Sequence, residues 1–168
     1  NKLASLTAEG LKIAHRKSSF RKEMSSWMHN SISSKRDGLL GYSLKMPFVL
    51  SFIIPTLVKF FNLSPLFAKL NYKSINSSPF ICVISALENN NLIWLEVGKL
   101  AERLMLHINS KGIKASIFVA SIEMGELYKK VKEVIGISHL PQFLFCAGYT
   151  SDSQKHSPRH PLNYKIIL

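Results

Sequence analysis

The stretch FICVISALENNNLIWLEVGKLAERLMLHINSKGIKASIFVA, residues 80–120, decides the fold. Its opening, Phe80 to Leu87, is a short apolar run rich in β-branched residues, the pattern of a buried strand. The Asn89–Asn91 cluster interrupts it. From about Leu92 to Ser110, residues Leu92, Leu95, Leu100, Leu104, Leu106 and Ile108 give a long helix a broad apolar face, and Gly112 is placed to close that helix. Ile113 to Ala120 reads as a second strand.

Working outward, Glu126 to Ile135 predicts an amphipathic helix with Tyr128, Val131 and Val134 inward, lysines outward and Gly136 at its end. Pro141 to Tyr149 predicts a third strand, followed by a basic arm. Strand, helix, strand, helix, strand is an α+β or α/β layout, with helices covering a sheet. On the N-terminal side, Thr7 is placed to cap a helix running to about Arg16, and Ser18 or Ser19 a second one through Met28. Phe20, Met24, Trp27 and Met28 form a stripe on that second helix, the usual mark of core packing. Asp37–Gly38 signals a turn in the polar stretch that follows. PFVLSFIIPTLVKFFNLSPLF (47–67) falls short of the roughly 20 uninterrupted apolar residues of a membrane span, and Pro55, Lys59 and Pro65 divide it. It reads as two short apolar helices that cover another part of the molecule or meet a partner, with docking on a membrane surface as the alternative. Lys73 to Ser78 reads as a polar linker. The expectation is one domain: N-terminal helices (1–46), an apolar helical cover (47–72), and a sheet–helix core with its C-terminal arm (73–168).

The 168 residues suffice for a core, and the 46% hydrophobic and 19% charged shares are those of a globular chain. The unusual number is a formal charge of +12, which attracts polyanions, phosphorylated ligands or anionic surfaces. The basic residues are dispersed as pairs (Arg16–Lys17, Arg21–Lys22, Lys35–Arg36, Lys129–Lys130), and aromatic residues lie in apolar runs rather than between lysines. Nucleic acid is therefore not the expected partner. Cys82 and Cys146 each sit in an apolar run and read as buried thiols in a reducing, cytoplasmic compartment. The chain opens on Asn1 without a signal-peptide pattern, and two readings stay open: it is an incomplete piece that begins partway through a longer protein, or it is a shortened version.

Catalytic signatures are sparse. No G-x-S-x-G elbow, phosphate loop, dinucleotide fingerprint or Cys/His metal spacing occurs. Two places remain. SIEMGEL (121–127) follows a predicted strand and opens a predicted helix, where backbone N–H groups are free to meet an anion or acceptor atom. Gly125 would let the backbone approach a flat ligand. An ordinary strand-to-helix turn is the alternative. The second place is QKHSPRHPL (154–162), in which Arg159 is presented from a proline-stiffened segment suited to gripping a phosphate; a frayed basic tail is the alternative.

Taken in order, SSPFICVISA (77–86), WLEVGKLAERLMLHINSKGIKAS (94–116), SIEMGEL, LPQFLFCAGY (140–149) and SPRHPL (157–162) resemble the C-terminal half of FMN-dependent nitroreductases, most closely the divergent NAD(P)H nitroreductase branch. SSFRKEMSSWM (18–28) and KRDGLLG (35–41) resemble the same branch. The resemblance implies a nitroreductase-like α+β fold with a central, mainly antiparallel sheet covered by helices. It implies a homodimer with FMN at the subunit interface, the turn Ile122–Glu123–Met124–Gly125 beside the flavin ring, and Arg159, assisted by His160, on the FMN phosphate. Hydride would pass from NAD(P)H through FMN to a small-molecule acceptor. The family's arginine-rich N-terminal phosphate-binding segment has no counterpart here; His15–Arg16–Lys17–Ser18–Ser19 stands in a different context.

Overall fold

The structure is a computed structural model and describes residues 1–151, 155 and 157–164. The chain is α+β and forms two compact units, one of residues 1–14 and 64–151, the other of residues 15–63 and 152–168.

The first, a sheet unit, is built on three strands: β3 (Phe80–Ala86), β4 (Lys114–Ile117) and β5 (Leu140–Gly148). Their order is β3-β5-β4, with β5 antiparallel to both neighbours. The register pairs Phe80 with Ala147 and Lys114 with Gly148, and a bulge interrupts β3 between Ile84 and Ser85. Period-two alternation sends Leu144 and Cys146 to one face of β5 and Phe143, Phe145 and Ala147 to the other. Leu144 and Phe145 are both essentially inaccessible, so both faces are covered. On the first face Leu144 and Cys146 pack with Ala4 of α1 (Lys2–Arg16), Ile75 of α4 (Ser64–Ser77) and Phe118. Helix α5 (Asn91–Ser110) lies against all three strands. Helix α7 (Leu127–Ile135) inserts Leu127 and Val131 beside Leu6 of α1.

Several local expectations are corrected. Thr7 does not cap a helix: α1 begins at Lys2, and Thr7 is buried within it. Its Oγ1 lies 3.0 Å from the Leu3 carbonyl oxygen, the back-bonding geometry of a mid-helix threonine, and 3.1 Å from Ser121 Oγ. Beside that bond, Gly10 lets α1 approach backbone: a Cβ built there would stand 2.2 Å from the Ala120 carbonyl oxygen. The polar segment from Lys73 is no linker, because α4 continues to Ser77. On α7 the inward residues are Leu127 and Val131, while Val134 is more than one-third exposed. Gly112 and Gly136 both end their helices as expected, each with positive φ.

The second, a helical unit, contains the end of α1 from His15, α2 (Ser18–Trp27), the two-residue parallel strands β1 (Met28–His29) and β2 (Leu39–Leu40), and α3 (Leu50–Phe60). Lys17, with no side-chain cap bond, precedes α2, so neither Ser18 nor Ser19 caps it. The Phe20 stripe is only partly core. Met28 is buried, but Trp27 is half exposed. Ser25 Oγ donates to the Pro55 carbonyl at 2.8 Å and ties α2 to α3. Buried Ser51 anchors α3's inner face, accepting from the Ser31 N–H at 3.0 Å and donating to the Phe48 carbonyl at 2.7 Å. Among the described residues no single helix is long and apolar enough to cross a membrane.

Candidate functional site

The turn singled out in the sequence borders a hollow in the sheet unit with a volume of about 650 Å³. That lies within the roughly 300–1,000 Å³ of small-molecule sites. Its position follows from the topology. The loop from β3 to α5, the α6–α7 turn and the start of β5 meet at one end of the sheet. Trp94 and Tyr128 supply aromatic walls, Ile122, Val97 and Phe143 apolar surface, and Asn89 and Gln142 a polar edge. That edge is ordered by one acceptor. Asn89 Oδ1 takes the indole N–H of Trp94 at 2.7 Å and the amide of Gln142 at 3.2 Å. Asn90, next in sequence, caps α5 by accepting from the Ile93 N–H at 3.0 Å, which fixes the first turn carrying Trp94. Another hollow, about 440 Å³ beside Asn1, Ile75 and Val134, shares no lining residue with this one.

The predicted site residues are placed as follows. A short helical turn, α6 (Ala120–Glu123), takes up the first three residues of SIEMGEL, so the bend at 124–126 follows a helix rather than a strand. Glu123 and Gly125 line the hollow. Met124 points elsewhere, packing against the Leu6–Leu127–Val131 cluster. Gly125 has φ +59°, and a Cβ built there would meet nothing within 4 Å. The bend therefore presents bare, accessible backbone to the hollow. Within the described residues the N–H groups of Gly125 and Glu126 donate to no protein acceptor, as the first amides ahead of a helix commonly do. Beside them, the Glu126 carboxylate pairs with Lys129 and holds that ammonium's pKa above its ordinary value, chiefly through their hydrogen bond.

Arg159 and His160 belong to the helical unit. Arg159 is exposed; the His160 imidazole stacks on the Tyr164 ring at 4.8 Å with the planes 11° apart. The short helical turn Leu162–Tyr164 holds that stack. Gln154 and His156 of the expected clip lie outside the described residues.

Trp94, Tyr128, Asn89 and Gln142 were not singled out by sequence. The one local signal for Trp94 was its place in the first turn of a helix just after an asparagine cluster. Among the described residues no group of three or more His, Cys, Asp or Glu could hold a metal ion. Both cysteines are free thiols. The register puts Cys146 opposite Ile81 and Cys82 opposite Phe145, so the two thiols point to opposite faces of the sheet. Burial pushes both thiols above their ordinary pKa; at Cys146 a hydrogen bond with Ser78 partly opposes it. Neither is an activated nucleophile.

No protein-family model, curated protein or solved structure matches this chain. The fit to a flavin therefore has to be judged on the residues themselves. A flat heteroaromatic ring suits the hollow, with two aromatic walls, an amide edge and accessible backbone N–H groups at a positive-φ glycine. A phosphate does not suit the same lining, which contains Glu123 and neither Lys nor Arg. The lining fits the ring portion of FMN, and the phosphate would need cations from elsewhere.

Proposed function

We propose that the chain is a flavin-dependent oxidoreductase of nitroreductase type that works as a homodimer in the cytoplasm. The observation that carries this reading is the meeting of the Gly125 bend with Trp94 and Tyr128 around one hollow. When bound, FMN would supply the redox chemistry, taking hydride from NAD(P)H and passing it to a small-molecule acceptor. The protein's part is to bind and orient. The Gly125 and Glu126 N–H groups would meet an acceptor atom on the ring edge, Asn89 and Gln142 would meet its polar rim, and Trp94 would limit access of water. Arg159, a planar fork on a proline-bounded segment, is the residue assigned to the phosphate. The exposed Leu92, Leu95 and Leu106 of α5 support a second copy as the cover for that helix.

A non-catalytic flavin-binding protein of the same fold is the second reading. Glu123 favours it, because a carboxylate in the lining opposes the negative charge of a reduced flavin.

The test is direct. Purified protein should carry flavin absorbance or gain thermal stability from added FMN. Arg159→Ala should lose FMN retention while keeping the fold. Retained FMN with NAD(P)H oxidation selects the enzyme, and retained FMN without it selects the storage reading. Colourless protein whose melting temperature ignores FMN overturns both.

A further inference from the structure

Helix α3 is apolar on both its inner and its outer side. Its inner face is apolar but for one serine: Ser51 and Val58 are buried, and Ile54, Pro55 and Leu57 are half-buried. Its outer face is almost wholly apolar. At 100° per residue, Val49, Ile53, Thr56 and Phe60 form one stripe, flanked by Leu50 and Phe52. All six are exposed, Val49 and Phe60 by about two-thirds (68% and 65%). Phe48 and Phe61 extend the surface at either end, each 60% exposed. A face of this composition in water is a contact surface.

Charge separates the candidate occupants. Between His15 and Leu63 the helical unit has eight Lys and Arg side chains against Glu23 and Asp37. Arg16, Lys17, Lys22, Lys35, Arg36, Lys45 and Lys59 are exposed. Lys59 lies on α3 itself, its ammonium 5.4 Å from the centre of the Phe60 ring. A second copy of so basic a unit would meet this one with like charge, whereas an anionic surface is attracted by it. Length decides the mode of contact. The 11 residues of α3 extend about 16 Å, against a hydrocarbon core of about 30 Å, so α3 alone is too short to span it. Helix α4, with which it would be long and apolar enough, turns away by 113°, so the geometry favours a helix lying in the interface. Exposed aromatic and aliphatic side chains on the helix, with Lys59 at its end and the basic residues of the same unit around it, suit contact with an anionic interface.

We infer that the outer face of α3 docks the protein on an anionic lipid surface, with Phe52, Ile53 and Phe60 entering the headgroup–acyl boundary and Lys59 meeting lipid phosphate. This reverses the expectation from sequence and stands independently of the flavin reading.

Co-flotation of the full chain with vesicles tests it. Binding is expected to mixed phosphatidylserine–phosphatidylcholine vesicles, with much weaker binding to phosphatidylcholine alone and loss at high salt. The double variant Phe52→Ser, Phe60→Ser keeps every charge and changes only exposed positions. With an unchanged far-ultraviolet circular dichroism spectrum, it should bind at least about tenfold more weakly. Lys59→Glu should weaken binding to the anionic vesicles only. No binding to anionic vesicles overturns the proposal. So does equal binding by the double variant, which would leave a charge-only polyanion surface. A lipid-free dimer that the double variant dissociates would assign the face to a second copy and also overturn it.

Discussion

The central strand of the sheet unit and helix α3 of the helical unit use their apolar residues in opposite ways. At the centre of the sheet unit, Val131, Leu144 and Phe145 are essentially inaccessible and β5 is covered on both faces, while β4 at the edge is exposed along its length. In the helical unit, α3 buries a serine and a valine while three of its phenylalanine and isoleucine side chains stand in solvent. Charge follows the same division. The sheet unit balances eleven basic side chains with seven acidic ones, whereas residues 15–63 set eight against two. Hydrophobicity in the sequence marks surface that needs covering; it does not say whether the cover is in the same chain.

The contrast breaks first at Leu144. Leu144→Ala removes a fully buried side chain from the sheet and should cost about 2–5 kcal/mol in urea unfolding. The solvent-facing Phe60→Ser, by comparison, should stay within about 0.5 kcal/mol of wild type. Equal effects would mean that α3 is covered in solution and that the division is wrong. Next is Gly10→Ala. Its new methyl must displace the Ala120 backbone, at a cost of about 1–3 kcal/mol measured the same way.

A smaller effect depends on pH. His15, in the helical unit, has a buried ring 5.2 Å from Phe20. Burial, and then the Arg21 guanidinium, hold its pKa below the ordinary imidazole value. The unfolded chain therefore takes up a proton that the folded chain refuses. The associated stability is complete above about pH 6.5 and falls as pH drops through that value toward the folded pKa. The urea midpoint should decline between about pH 7 and pH 5 in wild type and decline less in His15→Leu. The smallest effect belongs to Gly98, where an added Cβ meets nothing within 4 Å. Gly98→Ala should stabilise α5 by about 0.5–1 kcal/mol. Because Gly98 lines the hollow, the same change should reduce FMN retention under the proposed reading, as a flavin thermal-shift assay would report.

The sheet unit was the more legible half, because its apolar runs are long and end at glycines. Apolar runs bounded by Gly112 and Gly136 place β3, α5, α7 and β5 within a residue or two. Burial on α5 was not legible. Only Ala101 is fully buried there, while Leu92, Leu95, Leu100 and Leu106 are exposed, and periodicity cannot report what lies opposite a face. Thr7 looked like a cap because its hydroxyl suits one; its actual partner, Ser121, is far away in sequence. The β1–β2 pairing rests on two residues a side, too few for any alternation. At the site, Gly125 was legible because a glycine in a bend has few other uses, whereas Trp94, Tyr128 and Gln142 converge only through the sheet's strand order.

That strand order also governs how the chain is made. β5 sits in the middle of the sheet yet leaves the ribosome last, so β3 and β4 emerge with no edge on which to add. Phe80 must wait for Ala147 before its ladder can start, and until then FICVISA is an apolar strand without a mate. Nascent chains halted before Leu140 would be substrates for chaperones, and the release of roughly ten residues would convert them into a domain with both ladders closed.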